Sequence, residues 1–180
     1  MFRSCKHCLL WLLLALPFPV LAETPLPNGA AFEVGFSPNR GALDVVLAAI
    51  GAAQHSVQVA AYGFSCKPVA MALLAAQQRG VSVQVVADRK DNRKAYSAVT
   101  FLANQGVPVR LNGHYAIHHH KFIVVDGQHL ELGSFNYTAA AANKNAENAL
   151  VLWRVPALAA VYQTEWQRLW DEAEPLAPAY

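Results

Sequence analysis

Val81-Ser82-Val83-Gln84-Val85-Val86-Ala87 alternates at first and then runs apolar, as a strand buried on both faces does. Gly80 stands just before it and closes a predicted helix over residues 68–78. A β-rich run at 57–62 precedes that helix, so the centre of the chain reads strand, helix, strand. Downstream, residues 92–105 form a predicted third helix stopped by Gly106, and residues 107–111 a short strand. Upstream, residues 32–36 form a first strand. Ser37 and Pro38 then read as the N-cap and first turn of a helix carrying Leu43, Val46, Leu47 and Ile50 at helical spacing. Residues 121–125 and 129–132 are two strands joined at Asp126-Gly127, a turn signal, and residues 149–153 are another. Residues 156–171 form a terminal helix striped with Leu158, Val161, Tyr162, Trp166 and Leu169. The alternation predicts an α/β class: a single-domain layered fold with a central mixed β-sheet flanked by helices. No internal duplication is visible, and a length of 180 residues suits one domain.

A hydrophobic fraction of 54% against 14% charged residues excludes a disordered chain. Part of that apolar excess belongs to the uncharged run at residues 9–22, which follows Arg3 and Lys6 and ends in Val20-Leu21-Ala22. This is the pattern of a cleavable leader over residues 1–22, with the working domain at 23–180. A retained anchor is the lesser alternative, because the run is shorter than the ~20 residues a spanning helix needs and holds Pro17 and Pro19. The leader implies a periplasmic or secreted protein with no stable membrane insertion after cleavage. Removing Arg3 and Lys6 from 14 basic residues leaves 12 against 12 acids, so attraction for a polyanion must be local. Cys66 is then the one remaining thiol, and a buried one is expected.

The chemistry concentrates in His119-His120-Lys121-Phe122-Ile123-Val124-Val125-Asp126. On a strand, His119 and Lys121 share a face, which sets a nucleophile or base beside a phosphate-binding cation. Asp126 falls on the opposite face and reads as a structural member that fixes the strand end. Ser134 and Asn136 have the same two-residue spacing and offer neutral donors to a phosphate oxygen. Glu147, at the mouth of the next strand, is placed to hold a histidine Nδ1 and fix its tautomer. Three successive histidines on a regular strand cannot all ligate one ion, so His118 and His120 read as bystanders, and no metal and no cofactor are expected.

His119-x-Lys121-x4-Asp126 followed by Gly133-Ser134-x-Asn136 resembles the HKD signature of the phospholipase D superfamily. Asn143-Lys144-Asn145-Ala146-Glu147-Asn148 is similar to its short bacterial, Nuc-like endonucleases. Phe36-Ser37-Pro38 and Ala61-Tyr62-Gly63-Phe64 look like the family's early strands, so the resemblance spans about residues 32–170. It implies a phospholipase D-like fold and a metal-independent phosphodiesterase acting through a covalent phosphohistidine. His119 would be nucleophile or acid, Lys121 and Asn136 phosphate ligands, Ser134 their support and Glu147 the group orienting His119, with Asp126 completing the signature. The mechanism takes two copies of the motif and this chain has one, so the resemblance implies a homodimer sharing one site.

The substrate expected is nucleic acid: DNA, with RNA also within reach. A lipid phosphodiesterase is the alternative, since the superfamily holds such enzymes. A non-catalytic binding module has no use for the full set of His119, Lys121, Ser134, Asn136 and Glu147. Arg89, Lys90, Arg93 and Lys94 follow a strand end, where they either contact DNA phosphates or form a solvated helix start. His114 either lines the cleft or sits on a surface loop. Tyr62, Phe64 and Tyr115 are candidates for base stacking, with packing the better reading of the first two. Trp153, Trp166 and Trp170 read as core, and His55 and His129 as structural.

Overall fold

A computed structural model describes residues 23–93 and 97–179. The expected leader and Lys94 lie outside the described residues. The elements run β1 (Ala31–Ser37), α1 (Gly41–Ala52), β2 (Ser56–Ala61), α2 (Lys67–Gln78), β3 (Ser82–Asp88), α3 (Arg89–Asn92) and α4 (Ala98–Asn104). They continue β4 (Val109–Asn112), β5 (Lys121–Val125), β6 (His129–Gly133), α5 (Ala139–Asn143), β7 (Glu147–Trp153), α6 (Pro156–Asp171) and β8 (Glu174–Pro175). One eight-stranded sheet has the order β1-β7-β6-β5-β2-β3-β4-β8. The pairs β2–β3 and β3–β4 are parallel and the others antiparallel, so the sheet is mixed, as expected.

Strand parity divides the core in two. Val57, Val59, Val83, Val85, Ile123 and Val125 point to one face, where Val46 and Ile50 of α1, Leu73 of α2 and Leu102 of α4 cover them. Ala60, Val86, Phe122, Val124 and Leu130 point to the other, where Ala159, Trp166 and Leu169 of α6 do so. Each branched side chain so buried contributes roughly 1.5–3 kcal/mol relative to exposure. This explains the continuous apolar run of β3: both of its faces are roofed.

Four expectations need correction. Ser37 does not cap α1; it ends β1 opposite Glu147. The chain turns through Asn39 and Arg40 at φ 80° and 71°, and α1 begins at Gly41. A β-carbon on Gly35 would stand 2.0 Å from the Gly41 carbonyl oxygen, so glycine is what lets β1 and the start of α1 touch. The third helix predicted over 92–105 gives way to two short helices, α3 and α4, of which α4 lies within the predicted span and α3 shares only Asn92 with it. Asn92 ends the first because its carboxamide is committed to Phe64 N–H and to the Tyr62 and Asp88 carbonyls. Ser97 caps the second by accepting from Thr100 N–H. Of the tryptophans, Trp166 is fully buried, whereas Trp153 lies half-buried near the sheet edge, bonded to Glu33, and Trp170 stacks on Trp166 under Arg110. Finally, His119 precedes β5, which starts at Lys121.

Candidate active site

Lys121 lies opposite Ala61 at the carboxyl end of β2, where open α/β sheets place their ligand crevices. Although His119 is outside the strand, its ring reaches the same side as Lys121. The Lys121 Nζ stands 3.0 Å from His119 Nδ1 and donates to the His119 carbonyl at 2.7 Å. With lysine as the donor, Nδ1 is the acceptor, and a neutral ring then carries its proton on Nε2. Burial pulls the Lys121 ammonium below its ordinary range, and Glu147 acts against that.

Gly133 brings the second half of the set into place. A β-carbon there would stand 2.3 Å from the Asn148 carbonyl oxygen, so only glycine lets the end of β6 close onto β7. Ser134 Oγ then donates to Glu147 Oε2 at 2.6 Å and accepts from Asn148 N–H at 3.1 Å. Asn145 Nδ2 donates to the other Glu147 oxygen at 3.0 Å. Both Glu147 oxygens are thus bonded within their own neighbourhood, and no described bond joins Glu147 to His119. Asn136 is half-buried, and its Oδ1 has no hydrogen-bond partner. His119, Lys121, Ser134, Asn136 and Glu147 line one open groove of about 620 Å³, with Phe122, Leu132 and Tyr162 as its apolar wall.

Asp126 is elsewhere. At the far end of β5 its Oδ1 accepts from His55 and Ser56 N–H at 2.7 and 2.8 Å, and its Oδ2 from Gln54 N–H at 3.0 Å. Burial alone would raise its pKa, but these donors hold the carboxylate below its ordinary value. The structural reading of Asp126 fits this geometry, and a place for it in the groove does not.

The three histidines diverge. His118 is buried and its main-chain N–H donates to Asp88. Burial pulls its imidazole down to about 4, helped by His120 and opposed by Asp88 and Glu165. His120 turns to α6, with Nε2 3.4 Å from Glu165 and its ring against Phe122. Among the described residues no three His, Cys, Asp or Glu side chains gather as a metal ligand set. Arg89 pairs with Glu174 at 2.6 Å, and Lys90 donates to the Ala116 carbonyl at 3.0 Å. His114 packs on Tyr115. None of these three lines the groove. Phe64 is core, and Cys66 is a buried thiol whose pKa burial raises.

Tyr62, for which sequence reasoning preferred packing to base stacking, is a neighbour of the catalytic pair. Its ring centroid lies 4.7 Å from that of His119, and Lys121 Nζ sits 5.3 Å from it. The signal was its position one residue past the carboxyl end of β2. Asn145 was missed, two residues before Glu147.

The family model described as "Cardiolipin synthase, PLD-like domain" matches residues 46–170. The chain belongs to the phospholipase D superfamily. Its fold matches the crystal structure of Nuc from Salmonella typhimurium, a phospholipase D family member, with a TM-score of 0.80 and 39% identity over 82% of this chain and 99% of that one. NucT from Helicobacter pylori shares the fold, at a TM-score of 0.73, 22% identity, and 82% and 99% coverage. A mitochondrial cardiolipin hydrolase of Xenopus tropicalis is 39% identical over 68% of this chain and 58% of its own length. A phospholipase D of Rickettsia felis is 34% identical over 65% and 58%. The chain thus spans somewhat over half the length of these curated relatives. Among the described residues no helix is long and apolar enough to cross a membrane.

Proposed function

We propose that this superfamily member is a metal-independent phosphodiesterase that cleaves DNA, and RNA where it meets it, from one site shared by two copies. The observation that carries the reading is a single groove holding His119, Lys121, Ser134, Asn136 and Glu147, in a chain that shares the fold of Nuc and 39% of its sequence. An entering phosphate draws the Lys121 ammonium onto its non-bridging oxygens and frees His119 Nδ1. The ring proton moves from Nε2 through solvent to the freed Nδ1, and the bared Nε2 lone pair then forms a bond to phosphorus while the bond to the leaving oxygen breaks. The partner's His119 gives that oxygen a proton, then takes one from the water that displaces the phosphohistidine. Lys121 and the Asn136 amide meet charge where it builds. Because Glu147 does not bond His119 within one protomer, its orienting role falls to the copy across the two-fold axis.

A bare apolar face supports the dimer. Phe32, Val34 and Phe36 alternate along β1, so they share a face, and they are 69%, 47% and 65% exposed. Phe32 and Val34 lie opposite Leu152 and Leu150 of β7, beyond the reach of the α6 roof. Leu132, in the same sheet face, reaches the groove wall. An apolar patch continuous with half a site fits a second copy of the chain. The expected leader would direct this dimer outside the cytoplasm.

A lipid substrate is the second reading, favoured by relatives named cardiolipin hydrolase and phospholipase D. Purified protein is to be incubated with plasmid DNA and with cardiolipin or phosphatidylcholine vesicles, each in EDTA. The proposal expects DNA nicking in EDTA that His119→Asn abolishes, and poisoning of a wild-type subunit in mixed dimers. Activity that appears only with added metal ends the mechanism. Lipid turnover without DNA cleavage installs the second reading.

A further inference from the structure

A second cavity opens beside His119. It encloses about 300 Å³ between the loop carrying His119 and α6, and shares His119 and His120 with the catalytic groove. Tyr115, Ile117, His118 and Arg168 form its other walls over Leu169. That size sits at the lower end of the range for small-ligand pockets.

The charge of the walls decides what they suit. Arg168 donates to Glu165 and to Glu172 at 2.9 Å each, and also to the Tyr115 hydroxyl. Tyr115 in turn donates to Glu172 at 2.7 Å. One guanidinium therefore answers two carboxylates, and no positive charge is left over for a phosphate. His118 brings no charge either, since burial keeps its ring neutral, and neither ring nitrogen has a hydrogen-bond partner. Ile117 presents an aliphatic rim that is 48% exposed, and Leu169 a buried apolar base. A flat, uncharged, partly apolar ring matches these walls where an anion does not. The walls are also fixed in advance: Tyr115 and His120, on either side of His119 in the chain, are tied to Arg168 and Glu165 of α6. Little ordering cost remains for an incoming group.

We propose that this cavity receives the nucleobase beside the scissile phosphate, so that base and phosphate are held on adjoining sides of His119. The proposal rests on the nucleic-acid reading above and deepens it from polyanion binding to a nucleoside subsite.

The test uses the full protein labelled for NMR, in the His119→Asn form, titrated with inorganic phosphate, glycerol 3-phosphate and thymidine 5′-monophosphate. All three should shift Lys121 and Asn136 resonances, and only the nucleotide should also shift Ile117 and Leu169. Equal shifts at Ile117 with glycerol 3-phosphate, or none with the nucleotide, would overturn the subsite. Kinetics give the second readout. Ile117→Trp, a substitution at an exposed rim, fills the cavity. It should lower kcat/KM for thymidine 5′-(p-nitrophenyl phosphate) about tenfold more than for methyl p-nitrophenyl phosphate, which has the same leaving group and no second ring, in the range of one base–aromatic contact. Parallel losses on both esters would mark Ile117 as structural and sink the proposal. A wild-type protein that hydrolyses neither ester but shows the nucleotide-specific shifts would break the enzymatic reading and leave the subsite standing.

Discussion

At one end of β5, Asp126 accepts three backbone hydrogen bonds from Gln54, His55 and Ser56. At the other, His119 and Lys121 contact each other and the ring of Tyr62, and face an open groove. All three belong to one short signature, yet only one end has bonding capacity to spare. A carboxylate with its lone pairs taken by main-chain donors stabilises a loop. A cation and an imidazole that face solvent and pair only with each other are available to a substrate. The difference teaches that a sequence signature mixes chemistry with the scaffold that holds it.

The comparison breaks most visibly through activity. His119→Ala should cut phosphodiester hydrolysis by about 10⁴-fold or more, the scale of losing a nucleophile. Its melting temperature should stay near wild type, because the ring lies exposed in the groove. Asp126→Ala should do the reverse. Hydrogen bonds to a charged group are worth roughly 1.5–3 kcal/mol, so denaturant unfolding should show a loss of about that size, with kcat within a few-fold where the chain is folded. The depressed Asp126 pKa gives the sign of the pH effect. Its contribution is complete above the ordinary carboxylate pKa of 3.8 and is lost as pH falls through the lower folded value. The Asp126→Ala deficit should therefore shrink in acid. A stable Asp126→Ala protein without activity would erase the distinction between the two ends.

The next largest effect tests whether the open end is half of a site. Phe32→Ser with Phe36→Ser removes exposed apolar surface from β1 without touching the groove. Sedimentation should report a monomer, and activity should fall at least about a hundredfold, as loss of a single catalytic group does. A fully active monomer would mean that one protomer carries a complete site.

Much of this was legible beforehand, and the misses share a cause. Periodicity found β3 because both faces of that strand are buried, and the spacing of His119, Lys121, Ser134 and Asn136 found the groove because each lies next to a strand end. What it missed depends on contacts between segments distant in sequence. Asn92 ends a helix by bonding Tyr62 and Phe64, some thirty positions away. Ser37 is drawn into β1 by pairing with Glu147 rather than capping α1. Tyr62 meets His119 only because β2 and β5 are neighbours in the sheet. Glu147 followed the pattern in position but not in partner, since Ser134 and Asn145 hold it within the protomer.

Midway between the two ends, Glu131 of β6 pairs with Ile123 of β5 and is fully buried. Its Oε2 accepts from the Tyr137 hydroxyl at 2.7 Å, while Oε1 has no partner. Burial pushes its carboxyl up to about 8, and the Tyr137 bond offsets only part of that. The folded chain therefore holds a proton that the unfolded chain releases near 4.5. The stability linked to it is complete below about 4.5 and is lost as pH rises through about 8. Glu131→Gln keeps an acceptor for Tyr137 and removes the proton. Wild type and variant should melt together at pH 4, and the variant should melt several degrees higher at pH 9, at roughly 2–4 °C per kcal/mol for a domain of this size. Because Glu131 lines no part of the groove, kcat should be the same in both. Melting curves that stay parallel from acid to alkali would show the carboxylate to be ionised in place, and the centre of the strand pair would then tolerate charge as its ends do.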